Sequence, residues 1–251
     1  MIRIIMNGCN GHMGQVITEL VREDAGAEIV AGIDLLNNRE NGYPVFEKPE
    51  DCRAEADVMI DFSSFRAVDG ILDYCRSRKL PLVLCTTGLT EEQLQKVEVC
   101  SREFAVLRSA NMSLGINLLM KLIQDAAKVL ASAGFDMEIL EKHHRLKCDA
   151  PSGTALALAD SLNEAMDHQY HYVFDRSQRH SRREDKEIGI SAVRGGTIVG
   201  QHSVLFAGPD EVIELNHTAY SKTVFGKGAL EAAKFLAGKG AGLYTMSDVI
   251  G

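Results

Sequence analysis

The chain has 251 residues, of which 45% are hydrophobic, and its formal net charge at pH 7 is −8. This length suits one large or two modest domains, and the negative charge argues against nucleic acid as a general partner. We find no signal-peptide pattern and no apolar run long enough to span a membrane. Without CxxC or zinc-type spacing, the cysteines predict reduced thiols in a cytoplasmic protein without bound metal: Cys9, Cys52, Cys75, Cys85, Cys100 and Cys148.

A glycine-rich turn follows the first predicted strand. Residues 2–6 predict a buried strand, and apolar residues at helical spacing over 16–21 predict a helix after the turn. Glycines at positions 8, 11 and 14 allow a tight turn and the close approach of a pyrophosphate to the helix N-terminus. This arrangement is similar to a dinucleotide-binding fingerprint, although its glycine spacing differs from G-x-G-x-x-G. We predict that the turn binds a dinucleotide through Gly8, Cys9, Asn10, Gly11, His12 and Met13.

An acidic residue follows the second predicted strand. That strand, residues 28–33, ends at Asp34, at about the distance after the glycines where a carboxylate accepts hydrogen bonds from an adenosine ribose. An ordinary loop aspartate is the alternative. Three more predicted strands, at 57–62, 81–84 and 104–107, alternate with helices and indicate a parallel sheet. The turns at Gly8, Asp34, Ser63, Thr86 and Asn111 should therefore share the carboxyl edge of that sheet, where ligands bind.

A polar segment separates two apolar elements in the second half of the chain. It lies between a predicted strand at 135–140 and a predicted helix at 153–166. His143 can exchange a proton near neutral pH, and Lys147 can donate one. The sequence Pro-Ser-Gly-Thr opens the helix, whose N-terminal N–H groups attract anions. We predict that Gly153 and Thr154 bind a substrate carboxylate while His143 and Lys147 handle protons. A solvated turn with a capped helix is the alternative.

The remaining segments predict a second architecture. Residues 167–186 are rich in His and Arg at irregular spacing, which favours a solvated loop over a metal site. Three β-like runs at 188–193, 198–206 and 211–219 predict antiparallel strands, unlike the first half. In these runs, we expect His202 and His217 to be strand residues with satisfied partners. A helix at 221–237 and a short tail follow.

Residues 141–155, Glu-x-His-His-x-x-Lys-x-Asp-Ala-Pro-Ser-Gly-Thr-Ala, resemble the signature of the 4-hydroxy-tetrahydrodipicolinate (dihydrodipicolinate) reductases of diaminopimelate and lysine biosynthesis. The resemblance covers essentially the whole chain. It implies NAD(P)H-dependent reduction of 4-hydroxy-tetrahydrodipicolinate to tetrahydrodipicolinate. His143 and Lys147 would donate protons, and His144, Gly153 and Thr154 would bind the dicarboxylate substrate.

The resemblance also implies a fold and an assembly. We predict an α/β protein with a Rossmann-type dinucleotide-binding domain formed by residues 1–113 and 222–251. Residues 114–221 would form an α+β substrate-binding and oligomerisation domain with a mixed, largely antiparallel sheet. The family is usually tetrameric through the sheets of this second domain, so we expect a homotetramer.

Further cofactor contacts follow from the same resemblance. Thr-Thr-Gly at 86–88 and Ala-Asn-Met-Ser at 110–113 are similar to family segments that line the nicotinamide and ribose, with Cys85 in place of a glycine. In the family, a basic residue beside the acid meets the 2′-phosphate of NADPH. Leu35 stands there in this chain and the nearest cation is Arg39, so the sequence favours NADH over NADPH. The additional predicted cofactor residues are Asp34, Cys85, Thr86, Thr87, Ser109, Ala110, Asn111 and Met112.

Two other functions are considered. Another two-domain dehydrogenase, such as one that acts on an amino-acid semialdehyde, would explain the dinucleotide-binding half but not the His-His-x-x-Lys segment. An inactive nucleotide-sensing relative would explain the fold. The complete set of polar residues between His143 and Thr154 argues against loss of activity.

Overall fold

The computed structural model describes residues 1–109, 111–174, 176–177 and 179–251. Its helices are α1 His12–Arg22, α2 Val68–Arg78, α3 Glu91–Ser101, α4 Leu114–Leu130, α5 Gly153–Ala165, α6 Thr223–Leu236 and α7 Met246–Ile250. Its strands are β1 Ile2–Asn7, β2 Ala27–Ile33, β3 Val45–Phe46, β4 Val58–Asp61, β5 Leu82–Leu84, β6 Ala105–Arg108, β7 Asp136–His143, β8 His171–Val173, β9 Glu187–Arg194, β10 Gly200–Ala207, β11 Val212–Ala219 and β12 Gly242–Tyr244.

The described chain divides into two compact units. The first contains Met1–Leu114 and Thr223–Gly251, and the second contains Gly115–Lys222. Each junction lies one residue beyond the boundary expected from the sequence. Within the described ranges, no helix is both long and apolar enough to cross a membrane.

A parallel sheet forms the centre of the first unit. Among the described residues it has seven strands, in the order β12-β6-β5-β4-β1-β2-β3. The pairings of these strands are parallel, which confirms the prediction from alternating strands and helices. The C-terminal strand β12 pairs with β6 and completes one edge. Strand β3, at the other edge, was not predicted because two residues are too short to show a pattern.

Both faces of this sheet are covered, which explains the apolar run at residues 4–6 of β1. Ile4 and Met6 pack in a core with residues of α1 and α6, while Ile5 packs on the other face with residues of α2 and α3. A strand that is buried on both faces shows no polar alternation.

Two helices begin with side-chain caps. The Thr90 hydroxyl accepts the Gln93 N–H at 3.3 Å, and the Gln93 side chain accepts the Thr90 N–H at 3.1 Å, which forms a capping box before α3. The Ser152 hydroxyl accepts the Ala155 N–H at 3.1 Å and caps α5.

The second unit contains a mixed sheet in the order β11-β10-β7-β9-β8. Strand β10 is antiparallel to β11 and β7, whereas β7 with β9 and β8 with β9 are parallel. The mixed sheet is confirmed, but the expectation that the run at 188–193 is antiparallel was wrong. Helix α5 carries the chain back across the sheet after β7, and such a crossover produces parallel pairing.

Strand β7 is longer than predicted and connects the core to polar residues. It runs through His143 rather than ending at residue 140, because its ladder continues after the apolar residues stop. Its alternate residues are buried. Met137 and Ile139 pack with residues of α4 and α5, and Glu141 and His143 continue the same alternation. The strand therefore places two ionisable side chains at the end of an apolar core.

The prediction of a solvated loop at 167–186 was wrong in part. The segment contains β8, and three of its arginines form ion pairs with carboxylates of the sheet. A guanidinium nitrogen of Arg176 lies 2.6 Å from a Glu187 oxygen, and one of Arg183 lies 3.0 Å from a Glu138 oxygen. These carboxylates lie far away in sequence or across the sheet, so the chain order alone does not show the pairing.

Candidate active site

The turn after β1 passes so close to β4 that Gly8 cannot carry a side chain. Its φ is +76°, and a Cβ atom there would lie 2.5 Å from the Phe62 carbonyl oxygen. A Cβ atom on Gly14 would lie 2.2 Å from the Gly8 carbonyl oxygen. Gly11 precedes the first residue of α1 and has no side chain to cap its N–H groups. The turn thus presents a helix N-terminus that suits a phosphate group.

A cavity of about 460 Å³ lies at the carboxyl edge of the parallel sheet. Its lining includes Gly8, Gly11 and Asp34, together with Phe62 and Ser63 from the end of β4. Strands β1 and β4 are neighbours at the point where the chain reverses its order across the sheet. Doubly wound sheets bind nucleotides at that point, so these residues fit a dinucleotide.

The Asp34 carboxylate is fixed against the glycine turn. Its Oδ2 accepts the Asn10 N–H at 2.9 Å, and its Oδ1 accepts the Leu36 N–H at 3.1 Å. The Asn10 side chain donates to the Leu36 carbonyl and accepts from Asn41 Nδ2 at 2.8 Å. Asn10 therefore joins the turn to the loop after β2, which holds Asp34 in the cavity wall.

Two cations that were not predicted from the sequence line this cavity. They are Lys48 and Arg66, which follow β3 and β4. Arg39, which was predicted to be the nearest cation to Asp34, is exposed and is not among the described lining residues. Arg39 is near Asp34 along the chain, whereas the sheet order brings Lys48 and Arg66 to the cavity that Asp34 lines.

The other predicted cofactor residues differ in whether their side chains are buried or exposed. The side chains of Cys9, Cys85 and Met112 are buried, which leaves their backbone groups for any contact. Thr87 and His12 are exposed, Met13 is half-buried in the first turn of α1, and Thr86 is buried. Ser109 and Asn111 follow β6, and the Ser109 hydroxyl donates to the Asn111 carbonyl at 2.8 Å. Ala110 lies outside the described residues.

A buried carboxylate joins three strand ends of the first unit. Asp61 accepts hydrogen bonds of 2.6 Å from Asn7 Nδ2, from the Ser63 hydroxyl and from the Thr86 hydroxyl. Burial raises the pKa of Asp61, and these donors offset part of the rise. From the sequence, Asp61 was predicted only as part of an apolar strand.

In the second unit, Glu141 is fully buried and accepts several hydrogen bonds. Its Oε2 lies 2.6 Å from His143 Nδ1 and 2.8 Å from Arg194 Nη1. Its Oε1 accepts from Arg194 Nη2 at 2.6 Å and from the Ser152 N–H at 3.0 Å. Burial raises the pKa of Glu141, but Arg194, His143 and the Ser152 N–H together outweigh it and hold the pKa below its usual range.

Strand register assembles this cluster. Arg194 on β9 pairs with His143 on β7, and His202 on β10 pairs with Glu141. All four side chains therefore project from the same face of the sheet. Glu141 and Arg194 were not predicted as site residues, and the signal for Glu141 was the alternation that places it in line with Ile139.

His202 packs against His143 with ring centroids 5.1 Å apart and planes at 72°. Its Nε2 lies 3.1 Å from the Ser152 hydroxyl. The expectation of satisfied partners is met at Nε2 only, because Nδ1 has no hydrogen-bond partner among the described residues. Burial, with a contribution from the charge of His143, lowers the pKa of His202 to about 4, so this imidazole is neutral at pH 7.

Lys147 and His144 lie in the turn between β7 and α5. Lys147 Nζ is 2.8 Å from Asp149 Oδ1, and the Lys147 N–H donates to the His144 carbonyl at 3.1 Å. The hydrogen bond from Lys147 lowers the pKa of Asp149. Gly153 is exposed in the first turn of α5, followed by half-buried Thr154. The structure thus holds all five predicted substrate-site residues on one strand end, one turn and one helix start of the second unit.

A group of possible metal ligands lies elsewhere in this unit. Ligand atoms of His171, Glu184 and Glu187 lie within 4.8 Å of one another. Glu187 is already paired with Arg176 at 2.6 Å and Arg179 at 3.1 Å. Two guanidinium groups at one carboxylate disfavour a bound cation.

Known proteins match this chain along its whole length. The family model for the N-terminus of dihydrodipicolinate reductase matches residues 2–112, and the model for its C-terminus matches residues 115–250. A 4-hydroxy-tetrahydrodipicolinate reductase of Caldanaerobacter subterraneus subsp. tengcongensis is 52% identical over 100% of this chain and 98% of its own. That of Clostridium novyi is 47% identical, with 100% and 98% covered.

Among solved structures, a dipicolinate-bound dihydrodipicolinate reductase from Paenisporosarcina sp. TG-14 aligns with a TM-score of 0.83 at 26% identity. The alignment covers 98% of this chain and 97% of that one. The chain therefore belongs to the dihydrodipicolinate reductase family.

Proposed function

We propose that the protein is an NAD(P)H-dependent 4-hydroxy-tetrahydrodipicolinate reductase of diaminopimelate and lysine biosynthesis. The observation that carries the proposal is full-length identity of 52% to a reductase of that name. The substrate takes up one hydride and one proton and loses its hydroxyl group as water, which yields tetrahydrodipicolinate. The bound nicotinamide supplies the hydride.

In this proposal the first unit binds the dinucleotide. The glycine cradle of Gly8, Gly11 and Gly14 leaves room for the pyrophosphate at the start of α1, and Asp34 accepts hydrogen bonds from the ribose hydroxyls. The other contacts are those predicted from the sequence: Cys9, Asn10, His12, Met13, Cys85, Thr86, Thr87, Ser109, Ala110, Asn111 and Met112.

The second unit binds the substrate and supplies the proton. Loss of the hydroxyl group as water gives the substrate a conjugated C=C–C=N system. Addition of hydride to that system leaves negative charge on nitrogen, which His143 and Lys147 neutralise as acids. His144 and the N–H groups at Gly153 and Thr154 hold a substrate carboxylate, since the N-terminus of α5 favours an anion.

The reaction itself is tested by NADH oxidation in a mixture of pyruvate and aspartate semialdehyde, with and without the synthase that condenses them. We expect oxidation only when the synthase is present. Oxidation with the semialdehyde alone would identify another dehydrogenase, and none in either mixture would indicate an inactive nucleotide-binding relative.

The proton donors are tested by Lys147→Ala and His143→Ala. General acid catalysis contributes about 10²–10⁴-fold, so turnover should fall within that range while NADH affinity is retained. Lys142→Ala is the matched control, because Lys142 lies on the opposite face of β7. A parallel loss of NADH affinity would make these residues structural rather than catalytic.

We propose that NADH is the favoured cofactor and that NADPH is also accepted. The Asp34 carboxylate repels a 2′-phosphate, whereas Lys48 and Arg66 in the same cavity attract it. Arg66→Met should raise the KM for NADPH more than the KM for NADH. Arg39→Met, which removes an exposed cation, should change neither value.

We propose a cytoplasmic homotetramer that assembles through the sheet of the second unit. Val193 on β9 and Val212 and Ile213 on β11 have exposed side chains, an arrangement that supports contact with another copy. Light scattering of the purified protein should give the mass of four chains. Val212→Lys should reduce that mass, and an unchanged mass would place the contact elsewhere.

A further inference from the structure

One carboxylate group contacts both parts of the proposed substrate site. Glu141 Oε2 lies 2.6 Å from Nδ1 of His143, the proposed proton donor. Glu141 Oε1 accepts the N–H of Ser152, which caps the helix turn proposed to bind the substrate carboxylate. Because Glu141 is fully buried, neither contact competes with bulk water.

The first contact determines which nitrogen of His143 exchanges protons. An ionised carboxylate can only accept hydrogen bonds, so the ring nitrogen that faces it must carry hydrogen. Nδ1 of His143 is therefore the donor to Glu141, and Nε2 is the nitrogen that gains and loses a proton. A Cβ atom on Gly200 would lie 3.1 Å from Nε2, so a side chain at that position would crowd this nitrogen.

Arg194 keeps Glu141 ionised and oriented. Its two terminal nitrogens bind one carboxylate oxygen each, at 2.8 and 2.6 Å, which is the geometry that matches a guanidinium to a carboxylate. Nη2 also donates to the Asp149 carbonyl at 2.6 Å. The same guanidinium thus holds the turn that carries Lys147.

We propose that Glu141 is a positioning residue for the reaction. One oxygen holds His143 in the Nδ1–H form with Nε2 available for proton transfer, and the other holds the start of α5 for the substrate carboxylate. The inference rests on the proposed function, since it assigns Glu141 a part in that reaction. The hydrogen bonds of Glu141 do not depend on what the protein catalyses.

The first test uses the wild-type protein. The ¹⁵N chemical shifts of the His143 ring distinguish the two neutral forms, and we expect hydrogen on Nδ1. Hydrogen on Nε2 would overturn the proposal. This measurement needs neither catalysis nor a variant that folds.

The second test is Glu141→Gln, which keeps the side-chain size. The new amide can donate to His143 Nδ1, so the neutral ring should change to the Nε2–H form. We expect kcat to fall about 10²-fold, since small misplacements at a reacting centre cost about that much. The KM for the substrate should rise about 10-fold from weaker support of the α5 turn, with the KM for NADH unchanged.

Glu138→Gln is the matched control. Glu138 lies on the same strand but on its other face, and it contacts Arg183 instead of the site. We expect it to retain both kcat and KM. A folded Glu141→Gln variant with wild-type kcat and substrate KM would refute the positioning role. A wild-type protein that oxidises no NADH in the coupled assay would instead refute the proposed function.

Discussion

Acid should destabilise the folded protein because His202 is buried in its neutral form. The pKa of His202 falls from 6.5 to about 4 because burial disfavours the charged ring and His143 adds repulsion. The unfolded chain therefore takes up a proton near pH 6.5, whereas the folded protein does so only near pH 4. The stability that neutral His202 contributes is full above pH 6.5 and is lost progressively as the pH falls to 4.

The size of this effect follows from the difference between the two pKa values. That difference is 6.5 − 4 = 2.5 units. At about 1.4 kcal/mol per unit, the folded protein should lose roughly 3 kcal/mol across this interval. This is a large part of the free energy of unfolding of an ordinary domain, about 5–15 kcal/mol.

His202→Gln tests this reasoning, because glutamine can still bond the Ser152 hydroxyl but does not titrate. Urea unfolding of both proteins, followed by circular dichroism between pH 7 and pH 4, gives the loss in each. We expect the wild type to lose roughly 3 kcal/mol more than the variant. His180→Gln, at an exposed position, controls for the removal of one imidazole. Equal acid losses in wild type and His202→Gln would refute the assignment, as would a His202 NMR titration near pH 6.5.

Three further predictions concern the first unit. Gly8→Ala should weaken NADH binding about tenfold or more, as measured by calorimetry, because the positive φ and the contact with the Phe62 carbonyl force the turn to move. Gly240→Ala is the control and should not weaken binding, since its Cβ atom would meet no described atom within 4 Å. Thr90→Ala should lower the free energy of unfolding by about 1 kcal/mol through loss of the capping box. Burial raises the pKa of Asp61 above 3.8, so the contribution of Asp61 to stability declines as the pH rises above that value. In Asp61→Asn, the midpoint of urea unfolding should no longer show this decline with pH. The same dependence on pH in the variant and the wild type would contradict the prediction.

The parallel sheet was predictable because its signals are local. The predicted strands of the first unit are short, largely apolar runs next to turns, and both Thr90 and Ser152 stand where a helix begins. The glycine turn was also predictable, since the steric demand at Gly8 arises from its own backbone angle as well as from β4. Features of this kind depend on few residues that are close in sequence.

The polar cluster around Glu141 was only partly predictable because it depends on pairing between distant strands. His143 and Lys147 are visible within one segment, but Arg194 and His202 reach Glu141 through the register of β9 and β10. The predicted direction of β9 was also wrong, since its sequence does not show which strands it pairs with.

The cavity beside Asp34 shows the same limit. Lys48 and Arg66 come from separate loops and line the same cavity because the strands that they follow, β3 and β4, flank β2 and β1 in the sheet. The position beside Asp34 in the sequence therefore does not identify the cations of this cavity. In a doubly wound sheet, the order of the strands decides which charged side chains lie near one another, and this order is not visible in the sequence.

The close approach of Gly228 to the segment that leads from β6 into α4 has a consequence for engineering. A Cβ atom on Gly228 would lie 1.6 Å from the Met112 carbonyl oxygen and 3.7 Å from the Leu114 nitrogen, so α6 rests directly on the chain at the point where it leaves the first unit. Thr223, where the chain returns, is five residues earlier on the same helix, about 7.5 Å away. A short flexible peptide could therefore join residue 114 to residue 223 and give a separate nucleotide-binding protein. The segment 115–222 could likewise be exchanged for another domain.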